Sequence, residues 1–207
     1  MSFDRLDRFH TPARLMVLLS GSGTTLDNLL KHIKQGDLDA TIPVVIASKE
    51  CLGAHKARDA GIETHIHNGP LDPDFLDECC ERCEIDLVVL AGYLKLVPIT
   101  DRVRDRVVNI HPALLPEFGG KGMHGQRVHQ AVIESAKRGE VTESGCTVHF
   151  ADEQYDTGSV IVQLRCPVKG TDSAQELGDR VFKLECRAYP QALKLLIARN
   201  TNAHRDE

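Results

Sequence analysis

Short apolar runs alternate with stretches of helical periodicity along nearly the whole chain, and that alternation restricts the fold more than any other feature of the sequence. "RLMVLLS" reads as a strand and stops at Gly21-Ser22-Gly23. "TTLDNLLKHIKQG" follows, with Leu26, Leu29, Leu30 and Ile33 at helical spacing and Gly36 at its end. "IPVVIAS", "IETHIH", "IDLVVLAGY" and "VVNIH" read as further strands. The helix "CLGAHKARDAG" and one around "DFLDECCERC" separate the first three of these, and "DRVRDR" precedes the last. A loop "PALLPEFGGKGMHG" leads to a helix from Gln126 to Lys137. Asp172 to Arg199 reads as one long amphipathic helix with a bend at Pro190.

Strands that alternate with helices imply an α/β fold, a doubly wound, mostly parallel open sheet covered on both faces. The last two strands, "SGCTVHFAD" and "SVIVQLRCPV", are joined by "EQYDTG". Such a link is too short for a helical crossover, so this pair is expected to be antiparallel. With no repeat or linker in view, the expectation is one domain over 14–199 with loose ends at 1–13 and 200–207. In sheets of this kind ligands bind outside the carboxyl ends of the strands.

Charge narrows the partners. A net charge of −5 gives no general attraction to nucleic acid or anionic membranes, so an anionic ligand must be caught locally. The start "MSFDRLDRFHTPARL" has no apolar signal core, and the longest apolar runs are too short to span a bilayer. The expectation is a cytoplasmic enzyme, monomer or homodimer, acting on small molecules without nucleic acid or membrane. Seven cysteines with irregular spacing then read as free thiols. Cys79, Cys80 and Cys83 fall with Phe75 and Leu76 on one helix face. A core face explains them without a zinc site, since no second Cys-x-x-Cys completes four ligands. No metal is expected.

Two stretches carry chemistry. In "LLSGSGTTLDNLL" a strand ends, glycines turn and a helix begins, which suits a phosphate held by helix N-terminal N–H groups. A dinucleotide loop needs a third glycine where Leu26 stands, and a Walker loop needs Gly-Lys-Ser/Thr, so a monophosphate is favoured over NAD or ATP. A plain tight strand-to-helix turn remains the alternative. In "VVNIHPALLP" a buried strand delivers Asn109 and His111 to its exit. "TVHFADEQYDTG" brings His149 on a strand and Asp156 in the loop after it. Strand ends gather at one edge of a parallel sheet, so Asn109, His111 and Asp156 can converge. An imidazole beside a carboxylate has its protonated form favoured, and an amide can donate to an oxyanion. That set suits acyl transfer without a covalent nucleophile, and no G-x-S-x-G elbow offers a serine.

The motifs "SGSGTTL", "LAGYLKLV", "NIHPALLP", "GCTVHFADEQYDTGSVIVQ" and "LECRAYPQAL", in this order, resemble the glycinamide ribonucleotide formyltransferase family. The resemblance runs from about Arg14 to Arg199. It implies formyl transfer from 10-formyltetrahydrofolate, as co-substrate, to the amine of glycinamide ribonucleotide (phosphoribosylglycinamide) in purine synthesis. Asn109, His111 and Asp156 match the family's catalytic trio. Gly21, Ser22, Gly23, Thr24 and Thr25 match its phosphate loop, and Glu185 its acid on the last helix that contacts the ribonucleotide. Leu94, Lys95, Leu96 and Val97, together with Asn109 and the loop Asp152, Glu153, Gln154, Tyr155 and Asp156, match its folate site. His149 falls where the family keeps a histidine near the site, and Lys121 and His124 are further candidates to meet a ligand. Thr25 replaces the usual asparagine, Lys95 the frequent arginine, and "NGPLDPDF" lacks the family's other folate-tail arginine. Related enzymes of the same fold hydrolyse formyl-folate or formylate other amines, and these are the alternatives.

Overall fold

The computed structural model describes residues 8–202. Its strands are β1 (Ala13–Leu19), β2 (Ala40–Ala47), β3 (Glu63–Ile66), β4 (Leu87–Leu90), β5 (Val107–His111), β6 (Glu143–Phe150) and β7 (Val160–Pro167). Its helices are α1 (Thr24–Lys34), α2 (Leu52–Asp59), α3 (Pro73–Arg82), α4 (Gln126–Lys137) and α5 (Ala174–Asn202). The strand order is β3-β2-β1-β4-β5-β6-β7. β1 lies parallel to β2 and β4, and β2 parallel to β3. β6 and β7 are antiparallel, as the short link between them requires. This is the mostly parallel α/β sheet expected from the alternation. By its contacts the chain divides into one unit up to Val108, together with the end of α5 from Leu193, and a second from Asn109 to Ala192.

In the first unit the order reverses between β1 and β4, so the loops after these two strands leave the sheet side by side. β1 and β4 are buried almost throughout, as strands covered on both faces must be. α1 turns Leu26 and Leu29 into the core and keeps Lys31 and Lys34 in its last turn, where cations complement the helix dipole. α3 starts on Asp72, whose carboxylate accepts from the N–H groups of Asp74 and Phe75, and has Pro73 in its first turn. It buries Leu76, Cys79 and Cys80, with Cys83 just beyond its end, so the cysteine cluster is a core face. Burial pushes the Cys80 thiol up to about 12, and all seven cysteines are free. Of the expected loose ends, residues 1–7 and 203–207 lie outside the described residues. Phe9 is buried. The N–H groups of His10 and Arg14 donate to Asp86, at 2.7 Å from Arg14, and the His10 ring bonds the same carboxylate.

In the second unit β6 is buried from Ser144 onward, while β7 alternates between core and surface. Gly145 lies so close to the Leu164 carbonyl, and Gly158 to the Phe150 carbonyl, that no side chain fits at either position. α5 continues through Pro190. Among the described residues no helix is long and apolar enough to cross a membrane.

Candidate active site

β5 ends with Asn109 and His111 two residues apart, hence on one face of the strand. Thr147 and His149 share a face of β6 in the same way. The β6–β7 ladder slips register between Val148 and His149, a bulge of the kind that re-aims side chains beside active sites. The loop between these strands returns Asp156 to the exit of β5, so the three residues expected to converge do so within the second unit.

Asn109 Nδ2 donates to His149 Nε2 at 3.1 Å and approaches Asp156 Oδ1 at 3.4 Å. His149 Nδ1–H donates to the Phe150 carbonyl at 2.8 Å, which leaves Nε2 as the acceptor for the amide. His111 Nε2–H donates to the Phe118 carbonyl at 2.9 Å, and its Nδ1 lies 3.5 Å from Asp156 Oδ2. That carboxylate oxygen also accepts the Gly120 N–H at 2.9 Å. Phe118 and Asp156 both hold left-handed backbone, at φ 57 and 61, although neither is glycine. Such a conformation costs an L-residue about 1–2 kcal/mol and gathers at functional sites. Gly119 sits between them. A Cβ there would lie 3.1 Å from Asp156 Cβ and 2.7 Å from Leu115 Cδ2, so any side chain would push Leu115 aside and crowd the Asp156 loop.

Burial decides the protonation of His111. The ring is 3% exposed, and its desolvation outweighs both the charge of Asp156 and the Phe118 carbonyl, so the imidazole sits below the ordinary histidine value. The carboxylate alone favours the charged ring, as the sequence suggests, but desolvation is the larger effect here. For Asp156 burial is again the largest influence and pushes the carboxyl up. His149, whose Nε2 lies 3.5 Å from Asp156 Oδ1, the positive charge His111 can take up and the Gly120 N–H together exceed it and hold the group below the usual range. The resting site therefore pairs a largely neutral imidazole with an ionised carboxylate.

Glu185 lies on α5 in the same unit. It is partly buried and makes no hydrogen bond or ion pair among the described residues; burial alone pushes its carboxyl up to about 7. In the β6–β7 loop, Asp152 Oδ1 accepts from the Gln154 N–H at 2.9 Å and from Thr157 Oγ1 at 2.6 Å, which sets the loop's shape. Glu153, Gln154 and Tyr155 are exposed. A cavity of about 470 Å³ opens beside Asp156, walled by Leu115, Pro116, Gly119, Gly120, Tyr155 and the stretch from Thr157 to Val160. Lys121 and His124 are exposed on the loop before α4.

The first unit carries the other two stretches. Gly23, at φ 73, precedes α1, and no side chain caps that helix. A Cβ on Gly23 would stand 2.6 Å from Gly53 Cα, and the Gly53 N–H donates to the Gly21 carbonyl at 2.9 Å. The glycine turn is thus clamped on the start of α2, with Ser22, Thr24 and Thr25 around it and Lys56 Nζ bonded to Asp27 at 2.6 Å. Open N–H groups at a helix start are suited to an anion. After β4, the Leu94 N–H donates to Ser20 Oγ at 3.1 Å, which places this segment against the base of the glycine turn. Leu94 and Leu96 are exposed, at 54% and 43%, while Val97 is buried. Lys95 Nζ donates to the carbonyls of Ser48 at 3.2 Å and Gly69 at 2.5 Å, so its ammonium is engaged by the protein's own backbone.

Sequence reasoning did not find Phe118 or Gly120, which act through main-chain atoms and so leave no side-chain mark. The pair Gly119-Gly120 was the available signal.

A formyl transferase family profile matches residues 13–193. The chloroplastic phosphoribosylglycinamide formyltransferase of Vigna unguiculata is 41% identical over 192 residues, covering 88% of this chain and 60% of that protein. The chain therefore spans about three fifths of that relative's length. The phosphoribosylglycinamide formyltransferase of Haemophilus influenzae is 32% identical over 191 residues, covering 87% of this chain and 85% of its own. Among solved structures, glycinamide ribonucleotide transformylase 1 from Symbiobacterium toebii matches with a TM-score of 0.77 and 31% identity, over 96% of this chain and 91% of that one.

Proposed function

The chain belongs to the formyl transferase family, and on that premise we propose that it transfers a formyl group from 10-formyltetrahydrofolate to the glycine amine of glycinamide ribonucleotide, a step of purine synthesis. The observation that carries this reading is the cluster of Asn109 and Asp156 on the buried histidines His111 and His149. It offers a proton carrier, a carboxylate and an amide at one strand exit, with no nucleophile of its own. The relatives' names supply the acceptor, and the family resemblance supplies the formyl-folate donor.

The neutral substrate amine attacks the formyl carbon, a C–N bond forms, and the carbonyl becomes an oxyanion. Asn109 turns its amide from His149 toward that oxygen. His111, neutral at rest, takes the proton from the attacking nitrogen and hands it to the folate nitrogen as the old C–N bond breaks, so the ring ends as it began. Asp156 stabilises the transient imidazolium. Gly21 to Thr25 hold the substrate phosphate, and Glu185, whose carboxyl has no partner of its own, contacts the ribonucleotide. Leu94, Leu96 and Val97 offer apolar surface to the pterin, and the loop Asp152–Asp156 the polar contacts. Residues 14–199 act as one formyltransferase domain, in the cytoplasm, without a metal.

A double-mutant cycle tests the acid–base pair. His111→Ala is expected to lower kcat by about 10²- to 10⁴-fold with KM retained. Asp156→Asn is expected to cost a comparable factor, and the double mutant little more than the worse single. Fully additive losses, or folded variants with near-normal kcat, refute the pairing.

A further inference from the structure

We propose that Thr147 and Gln163 are positioning residues for this reaction: their paired side chains pin the turn that carries the Phe118 carbonyl to His111 and the Gly120 N–H to Asp156. The inference rests on the formyl-transfer reading for its kinetic half only.

Thr147 and Gln163 are direct cross-strand partners of β6 and β7. Thr147 is fully buried, between Cys146 and Val148, where the core would accept valine. Its hydroxyl instead uses its whole hydrogen-bonding capacity. Oγ1 donates to the Ala113 carbonyl at 2.7 Å, and accepts from the Leu115 N–H at 3.0 Å and from Gln163 Nε2 at 3.0 Å. Gln163 Nε2 gives its second hydrogen to the Leu115 carbonyl at 2.9 Å. Leu115 is therefore held at both its N–H and its carbonyl by two side chains from neighbouring strands.

What lies next in sequence gives this brace its role. His111 precedes the braced turn, and Phe118, Gly119 and Gly120 follow it. The same short stretch then supplies the acceptor for His111 Nε2–H and a donor for Asp156 Oδ2. Phe118 and Asp156 both hold strained left-handed backbone, which persists only where the surroundings over-determine it. The brace provides that constraint and so fixes which nitrogen of His111 carries the proton at rest. A proton carrier in the wrong tautomer has its lone pair on the wrong side of the ring.

The test combines a tautomer measurement with kinetics. In ¹⁵N-histidine-labelled protein at pH 8, assigned with His111→Gln, the wild-type ring is expected as a single Nε2–H tautomer. Thr147→Val keeps the shape and removes the hydroxyl. It is expected to give a mixture of tautomers and at least a tenfold loss of kcat, with KM for both substrates within twofold. Thr147→Ser is expected to restore both readings. Gln163→Met, a milder cut of the same brace that leaves the core hydroxyl in place, is expected to shift both in the same direction by less. A wild-type tautomer and kcat in Thr147→Val and Gln163→Met, or failure of serine to rescue, overturns the proposal. The spectrum needs no turnover, so an enzyme inactive on these substrates would refute the functional reading and leave the tautomer result to judge the brace.

Discussion

Replacing Glu185 by glutamine should stabilise the protein, by an amount that grows as pH rises from about 4.5 to about 7 and then levels off. Burial raises this carboxyl from 4.5 to about 7, with no cation beside it. At about 1.4 kcal/mol per pH unit, a displacement of that size sets roughly 3 kcal/mol against the ionised form in the folded state. Glu185 keeps some solvent contact, which screens part of this, and about 1–2 kcal/mol is the expected remainder. The sign follows from linkage. A group raised on folding contributes its stability below the unfolded value of 4.5 and loses it as pH rises through about 7. Glutamine keeps the size and the neutral state, so wild type and Glu185→Gln should melt together near pH 4. At pH 8.5 the variant should melt about 2–8 °C higher, given about 2–4 °C per kcal/mol for a chain of this length. His111 and His129 act in the opposite sense. Burial is the largest influence on each and holds both below 6.5, so their contribution is lost as pH falls below that value. They are common to both proteins and cancel in the difference. Calorimetric melts from pH 4 to 9 measure it. An equal difference at every pH, or a less stable variant at pH 8.5, would show that the carboxylate is not held against its charge.

Two further substitutions test the first unit. Gly23→Ala forces a side chain to φ 73 and sets its Cβ 2.6 Å from Gly53 Cα; a loss of about 2 kcal/mol or more is expected from the backbone term with the clash. The ribonucleotide KM should rise at least tenfold while the folate KM stays within twofold, and equal losses for both ligands would reject the phosphate assignment. Lys95→Met removes donation to the Ser48 and Gly69 carbonyls, and for a part-exposed ammonium about 1 kcal/mol of stability should go with it. The folate KM should change only a few-fold, and a hundredfold rise at unchanged melting temperature would make Lys95 a ligand anchor instead.

The alternation of strands and helices was enough to read the sheet. The central runs β1 and β4 are buried almost throughout while β3 at the sheet edge is not, and the glycines that stop these runs include positions where the backbone needs positive φ or close approach, Gly23 above all. The short link before β7 gave the antiparallel pair, because no crossover helix fits there. Convergence of Asn109, His111 and Asp156 was legible for the same topological reason. The resting protonation of His111 was not, because a sequence shows the neighbouring carboxylate but not the depth of burial that outweighs it. Nor was the engagement of Lys95, since its acceptors are main-chain carbonyls far away in sequence. Thr147 and Gln163 look like ordinary strand residues in the sequence. Their meaning depends on a cross-strand register that only the fold sets.

The most direct test of the formyl-transfer account is the absorbance change as 10-formyl-folate loses its formyl group, followed with and without glycinamide ribonucleotide. The account requires rapid release only when the ribonucleotide is present, with one formylated amine formed for each folate released, and near-complete loss of that release in His111→Ala. Equal release without the ribonucleotide would make the protein a formyl-folate hydrolase. No release with either mixture, from folded protein, would contradict formyl transfer to this amine altogether.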